Sequence, residues 1–459
     1  MYLQPCKNVL VVGDIMLDKE IHGHISKIAP EAPIPVFCKE HEVTKLGGAG
    51  NVAANLRAIG CERVFIFSTY GDDIAGRQIH DKLTEYGIDN HCVINKQPTI
   101  VKNRFYIHNK LLFRYDEEVP IGLINMDEFI ASIKHIIETE DIGSIVFSDY
   151  NKGLMTHTLC QELIELAQKY SILTVVDPKV DYRKYVGCSI IKPNRSEVDT
   201  LFGVKVDEMN LDAVHDLIHE KVKCEYSVIT LAEKGISMKH DTQTLHDKTI
   251  SHYVIDVLGA GDVVNAVFGA FPHEDKKTIM RMANLLAGIS IQNVGAYVLQ
   301  PTDILYVRKE IIGSKLITIR EFVNNGYQKV VFTNGCFDIL HHGHLNLLEW
   351  CRSIGDVVIV GLNSDESIRR LKGSERPIND LKTRIHMLEA NKNVDYVIVF
   401  DEDTPRDLLS KLKPNIMVKG GDYESVELPG AEYVDEVRIF PLCSGYSTTK
   451  IIEKIIMRN

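Results

Sequence analysis

Asp256-Val257-Leu258-Gly259-Ala260-Gly261-Asp262, followed at once by the apolar run 263–270, is the stretch from which the rest of the chain is read. Two glycines flank one alanine just before a helix-like segment, so three backbone N–H groups can crowd together without hindrance from Cβ atoms. A helix N-terminus with bare donors attracts anions. A carboxylate at that point cannot itself bind phosphate, because like charges repel. Asp262 therefore reads as a base that takes a proton from a hydroxyl. The amides of Gly259, Ala260 and Gly261 then hold charge building on a transferred phosphoryl group. An Asp N-cap on an ordinary glycine turn is the plainer alternative, and the remaining sequence has to decide.

The chain has 459 residues, more than one hydrophobic core usually serves, so two or three domains are expected. A hydrophobic share of 45% and a charged share of 25% place it among folded globular chains. The net charge of −11 comes without a basic stripe, which argues against a nucleic-acid partner. Ten cysteines (6, 38, 61, 92, 160, 188, 224, 336, 351 and 443) include no CxxC pair. That spacing fits neither a disulfide framework nor a zinc ribbon, and reduced thiols suit a cytoplasmic location. Met1 runs into the strand-like Val9–Val12 without a signal-peptide pattern, and no run of 18 apolar residues occurs. No membrane span is expected.

Outward from the opening stretch, Asn8–Gly13 reads as a buried strand. Gly23 to Glu42, broken by Pro30, Pro33 and Pro35, suggests edge strands or a flap. Asn103–Ile107 and Leu111–Asp116 alternate around a turn at Asn109-Lys110, a hairpin that would complete the flap. Strands at Ser144–Ser148, Thr174–Asp177, Ser189–Lys192 and Ser227–Leu231 are separated by helical stretches such as Leu159–Tyr170 and Leu211–Lys221. That rhythm predicts a parallel sheet covered by helices, with ligands outside the strand C-terminal ends near Asp149, Asp177, Lys192 and Thr230. After helices at 276–293, Asp303–Ile312 reads as a connector. A second α/β rhythm follows: a helix near Ile319–Asn325, a strand Lys329–Thr333, a helix Leu345–Ile354 and a strand Val357–Leu362. It continues with a helix Leu381–Ala390, strands Tyr396–Phe400 and Ile416–Lys419, and a terminal helix from Thr448. The expected domains are residues 1–312 and 313–459.

Gly48-Ala49-Gly50-Asn51-Val52-Ala53 matches GxGxxA, but a dinucleotide fold needs a buried strand immediately before it, and Lys39–Lys45 is too charged. A glycine loop against which a small polyol lies, with Asn51 donating hydrogen bonds, fits better. Asn194 and Glu197, three apart at a strand end, suit Mg2+ held through water, though capping of a helix N-terminus explains the same spacing. There is no GxxxxGK[ST] and no protein-kinase motif set. Taken together, the GGAGN run near position 50, Lys-Pro-Asn-x-x-Glu at 192–197 and the GAGD run at 259–262 resemble the ribokinase-like (PfkB) sugar kinases over about residues 1–310. The resemblance implies a three-layer α/β domain with a small β flap, often dimerising through that flap, and ATP-dependent phosphorylation of a sugar hydroxyl. Asp262 would be the base, Gly259–Gly261 the anion hole, and Asn194 with Glu197 the water-mediated Mg2+ and ATP site. Thr230, Gly235, Asn284 and Gly288 would lie about the nucleotide, and Asp14, Asp18, Gly48 and Asn51 would line the sugar. Arg104, Lys152 and Lys179 stand as spare cations for a sugar that already carries a phosphate. Val257-Leu258 replaces a frequent Thr-Thr of the family, which removes neither charge nor amides.

In the second rhythm, a β-run breaks at Thr333-Asn334-Gly335-Cys336-Phe337, and His341-x-Gly343-His344 precedes a helix. Two histidines three apart face one way where a helix end attracts anions. Such a site needs no base if the attacker is an already ionised phosphate oxygen; it need only screen charge and orient a triphosphate. Zinc on Cys336, His341 and His344 lacks a fourth ligand at sensible spacing and is not expected. The run is similar to the Rossmann-like cytidylyltransferase-type nucleotidyltransferases, whose signature is HxGH. Asn363 and Asp365, Lys372 and Arg376, Lys419-Gly420-Gly421-Asp422, and Ser447-Thr448-Thr449 match in order over about residues 313–459. The resemblance places them, with Thr333, Asn334, Gly335, Phe337, His341 and His344, about ATP or CTP and its phosphates.

A ribokinase-like domain fused to an HxGH domain resembles the bifunctional heptose kinase–nucleotidyltransferase family. That implies ATP as substrate in both halves. The first half would phosphorylate O1 of D-glycero-β-D-manno-heptose 7-phosphate. After a separate enzyme removes the 7-phosphate, the second would transfer AMP to the heptose 1-phosphate for lipopolysaccharide core synthesis. A kinase for another sugar joined to a CTP-dependent cytidylyltransferase is the alternative within the enzyme class. A sugar-responsive binding module with a degenerate kinase domain is opposed by the intact Asp262 and HxGH.

Overall fold

The computed structural model describes residues 3, 5–108, 110–120, 122, 124–207, 209–249, 253–313, 315–319, 322, 329–421 and 428–441. Asp422, Ser447, Thr448 and Thr449, the proposed terminal helix and most of 319–325 lie outside them. The chain folds as two compact units, Leu3–Asp303 and Ile304 onward.

The first unit is built on a nine-stranded sheet in the order Gln243–Asp247, Ile236–His240, Tyr226–Thr230, Ile190–Ile191, Leu173–Asp177, Ile142–Ser148, Asn8–Gly13, Arg63–Phe67, Asp89–Asn90. Its strands run parallel except for Ile236–His240 and Gln243–Asp247, which close one edge antiparallel. The central strands are apolar on both faces, as a sheet covered on both sides requires. Leu10, Val12, Phe65, Phe67, Ile145, Phe147 and Val176 meet helices Met126–Thr139, His157–Lys169 and Leu211–Val222. On the other face helix Ala260–Ala270 packs on the sheet and between helices Ala49–Ile59 and Lys276–Ser290. Every residue from Asp262 to Ala270 is buried, so Asp262 sits in the first turn of a helix enclosed along most of its length.

A separate four-stranded sheet forms the flap, in the order Pro35–Gly48, Ile15–Ile28, Val101–Ile107, Lys110–Glu117. The charged stretch 39–45 is thus a strand that leads into the glycine helix, yet it belongs to the exposed antiparallel flap and not to the parallel sheet. That is why GxGxxA does not make a dinucleotide site here.

Residues 303–312, expected as a connector, belong to helix Pro301–Ile312. Proline at the first helical position is pre-set for helix, and buried Ile304, Val307 and Arg308 share one stripe. The second unit carries a wholly parallel six-stranded sheet, Leu316–Ile317, Tyr396–Phe400, Val357–Asn363, Val330–Gly335, Ile416–Gly420, Glu436–Phe440. Among the described residues no helix is long and apolar enough to cross a membrane.

Candidate active sites

In the first sheet the chain runs outward from Asn8–Gly13 in both directions, through Arg63–Phe67 on one side and Ile142–Ser148 on the other. The crevice expected of an open α/β sheet lies where strand order reverses, outside the carboxyl ends. Asp14 ends one of these strands and Asp149-Tyr150 the other. Asp14, fully buried, accepts the backbone N–H groups of Tyr150 (2.8 Å) and Lys152 (3.1 Å) on one oxygen, and its other oxygen has no partner among the described residues. Burial, with Asp149 nearby, raises its pKa to about 6.

Asp262 lies in this crevice. Asn51 Nδ2 donates to Oδ2 at 2.9 Å and the Tyr150 hydroxyl to Oδ1 at 2.8 Å. Burial raises the carboxyl to about 7 against the pull of those two hydrogen bonds, near the operating pH of a general base. Asn51 is itself fixed by Asn55, which donates to its side-chain oxygen at 3.1 Å. Gly259 holds φ 78, and a Cβ there would come within 2.8 Å of Asn51 Nδ2, so glycine is needed both for the backbone and for the close approach. Lys192, 2% exposed, reaches Asp177 Oδ1 at 2.8 Å. Its Nζ stands 3.6 Å from where a Cβ on Gly261 would be. A buried ammonium therefore faces the N-terminal amides of helix Ala260–Ala270, where phosphoryl charge would gather.

The flap presents alternate residues to this crevice. In register, Asp18 faces Lys102 and Glu20 faces Arg104. Arg104 is not a spare cation: it forms a buried pair with Asp18 at 2.5 Å. Lys179 pairs with Glu197; burial alone would lower its pKa, but Asp177, Glu197 and Asp262 together raise it. Lys152 pairs with Glu118 at 2.6 Å. Gly48, at φ 59, turns the last flap strand into helix Ala49–Ile59, and a Cβ there would strike the carbonyl of Asp14.

Asn194 and Glu197 form a complete capping box on helix Arg195–Phe202. Glu197 thus has one oxygen on a backbone N–H and the other on Lys179. Each keeps a further lone pair, which fits contact through metal-bound water and not direct ligation. Thr230 bridges to Asn194 at the next strand end. Gly235, at φ 92, closes the turn into Ile236–His240. The Asn284 amide is spent on Asp247 and Lys248, tying helix Lys276–Ser290 to the edge strand, and Gly288 on that helix accepts from Gln292 just beyond its end.

In the second unit the strand order reverses between Val330–Gly335 and Ile416–Gly420. A cleft of about 570 Å3 lies there, lined by Asn334, Gly335, Phe337, His344, Asn363, Lys372, Arg376 and Lys419 among others. His341 caps helix His342–Ile354, and its ring stacks on His344 with centroids 3.8 Å apart. Burial lowers both, His344 to about 4 with help from His341, so both are neutral without an anion. Their Nδ1 atoms have no partner among the described residues. Lys419 Nζ reaches Asn334 Oδ1 at 2.9 Å, and burial lowers its pKa. Among the described residues no group of three His, Cys, Asp or Glu could hold a metal ion. Thr333 is fully buried and does not line the cleft, and Asp365 turns to Arg384 at 2.6 Å. Gly421 donates to Phe440 across the neighbouring strand.

Sequence reasoning misses Tyr150, Asp338 and the supporting Arg384, and names Lys192 only as a strand end and as the start of Lys-Pro-Asn-x-x-Glu. Asp338 accepts from Arg376 at 2.6 Å and from the N–H groups of Ile378 and Asn379. Arg384, fully buried, donates to the carbonyls of Asn379, Cys336 and Asn363. Arginine inside a helix of mixed polarity looks like any surface residue in sequence. Lys192, a cation ending an apolar strand, does carry a signal.

Comparison with known proteins matches the description "pfkB family carbohydrate kinase" over residues 7–303 and "Cytidylyltransferase-like" over 332–454. The bifunctional protein HldE of Campylobacter fetus is 38% identical over 98% of this chain and 99% of its own. That of Helicobacter pylori strain J99 is 38% identical over 98% of each. Escherichia coli phosphofructokinase-2 in complex with potassium shares the first unit's fold, with a TM-score of 0.56, 17% identity and coverage of 67% of this chain and 99% of that one. Arabidopsis thaliana ribokinase complexed with ribose and ATP does so with a TM-score of 0.52, 16% identity and coverage of 67% and 99%. With both reaction crevices in place and this similarity running end to end, the chain belongs to the bifunctional HldE family, a pfkB-type carbohydrate kinase followed by a cytidylyltransferase-like nucleotidyltransferase.

Proposed function

We propose that residues 1–312 phosphorylate O1 of D-glycero-β-D-manno-heptose 7-phosphate with ATP. Residues 313–459 then transfer AMP from ATP to heptose 1-phosphate, releasing pyrophosphate and giving ADP-heptose for lipopolysaccharide core. The observation that carries the first half is the buried Asp262 carboxylate, clamped by Asn51 and Tyr150 beside the amides of Gly259–Gly261 and the Lys192 ammonium. Asp262 takes the proton from the sugar hydroxyl as the hydroxyl oxygen attacks the γ-phosphorus and the bond to the β–γ bridging oxygen breaks, so that ADP leaves. The amides and Lys192 take up the charge shifting onto the transferred group. Glu197, with Asn194 beside it, would hold Mg2+ through water, and the ion would supply positive charge against the triphosphate. Gly48 lets the sugar lie close to the backbone beside Asp14.

In the second half the attacker is a sugar phosphate oxygen, ionised at neutral pH, and the α-phosphorus is the target. His341 and His344 donate hydrogen bonds as neutral rings, while Lys372, Arg376 and Lys419 screen the phosphates. A cytoplasmic homodimer through the flap completes the reading. The flap's outer face carries Phe37, Phe105, Phe113 and Tyr115, with Phe105 stacked on Phe113 at 4.2 Å and Tyr115 57% exposed. An aromatic sheet face of that kind fits a second copy. The test is incubation of the full chain with ATP or CTP and heptose phosphates, with products resolved by mass. Turnover of CTP alone in the second step, or of a different sugar in the first, would sink the assignment.

A further inference from the structure

The three cations expected at the sugar differ in how firmly they are held. Arg104 is locked in a pair with Asp18 whose side chains are 5% and 4% exposed. Lys179 is committed to Glu197, which also caps a helix. Lys152 instead shares one carboxylate with Lys102. Glu118 Oε1 lies 2.6 Å from Lys102 Nζ, and its Oε2 lies 2.6 Å from Lys152 Nζ. The side chains of Lys102, Lys152 and Glu118 are 12%, 20% and 30% exposed.

The arrangement spans two elements. Lys102 is on flap strand Val101–Ile107, on the face that also carries Arg104 and Tyr106 toward the crevice. Lys152 follows the strand end that supplies Tyr150, two residues from the side chain that clamps Asp262. Glu118 lies just past flap strand Lys110–Glu117. Lys102 also reaches Asp116 Oδ2 at 3.3 Å, and Asp116 Oδ1 takes Arg114 Nε at 2.9 Å, so three cations meet two carboxylates, of which Glu118 is the one held by both lysines. A phosphate monoester dianion matches those two lysines better than that single carboxylate does and has more oxygens to share.

We propose that Lys102 and Lys152 are the seat of the substrate's remote phosphate, and that Glu118 is its stand-in, displaced when the sugar phosphate binds. This rests on the sugar-phosphate reading of the first domain. Against the burial that opposes them, the two lysines hold the Glu118 carboxyl down at about 2, so it yields only to an anion of higher charge, and the flap is then tied down through substrate instead of through its own carboxylate. The device makes closure of the flap over a sugar depend on the sugar's phosphate.

The experiment is steady-state kinase kinetics of the full chain with heptose 7-phosphate, with the same heptose lacking phosphate, and with ATP varied. Glu118→Gln should lower KM for heptose 7-phosphate about three- to tenfold, with KM for ATP unmoved. Lys102→Met should raise KM for heptose 7-phosphate about 10- to 100-fold and leave kcat/KM for the unphosphorylated heptose in place. An unchanged or raised KM in Glu118→Gln, or equal losses on both sugars in Lys102→Met, overturns the proposal. A wild-type enzyme that ignores heptose 7-phosphate overturns the substrate reading instead. In that event competition by inorganic phosphate against whichever sugar phosphate is used, stronger in Glu118→Gln than in wild type, still decides on the seat.

Discussion

The Tyr150 hydroxyl and Asp262 Oδ1 lie 2.8 Å apart, donor to acceptor, across the reversal point of the large sheet. This bond, with that from Asn51, opposes the burial that lifts Asp262 to about 7. The base works ionised, so kcat/KM of the kinase step should climb with pH until about 7 and then level. Tyr150→Phe removes a bond that favours the ionised form, and the rising limb should move to higher pH; a limb that stays put or moves lower contradicts the clamp.

Asp262→Asn should cost the kinase step at least about 1,000-fold in kcat while AMP transfer continues. A carboxyl raised by folding adds stability below its ordinary range and loses it as pH rises through the folded value. The Asn variant should therefore gain thermal stability over wild type at about pH 8 and not at about pH 4, readable by calorimetry.

For Lys192→Met the expectation is a kcat loss of about 100- to 1,000-fold with KM for sugar little changed, since the ammonium acts where charge develops. A change confined to KM for ATP would assign Lys192 to ground-state binding.

His344→Ala should abolish AMP transfer and spare the kinase. Because His344 titrates near 4 in the free protein, kcat/KM for ATP in this step should be flat from about pH 5 to 8. A bell centred on the ordinary histidine value would show that the ring is charged before ATP arrives.

Arg384→Leu leaves three carbonyls and Asp365 without their donor. Losing one partner of a buried pair costs about 3–5 kcal/mol, and denaturant unfolding followed at Trp350 should report it in the second unit. Phe113→Glu, on the outer flap face, should shift sedimentation toward monomer.

Much of this is legible beforehand, where one short run carries its own physics. The glycine-flanked Asp262 and the spacing of His341 and His344 point to anion sites from sequence alone, and the strand–helix rhythm gives the parallel core of both sheets. Connectors are harder: residues 303–312 are polar enough to pass for a loop, and only their burial makes them a helix. Pairing is harder still. Asn51, expected to donate to sugar, donates to Asp262, and Arg104 and Lys179 already have carboxylates. Such partners come from elements 86 and 18 residues away, a separation along the chain that local pattern does not encode.

The flap strand Ile15–Ile28 starts one residue after Asp14, and Pro35–Gly48 ends three residues before Asn51. The lid is therefore strung at both roots to the residues that set up proton removal. A ligand large enough to draw the lid down pulls on those roots together, and a water molecule has no such reach. On the proposed kinase reading, release of ADP without sugar should therefore be far slower than with it, and assaying ADP in both conditions checks this.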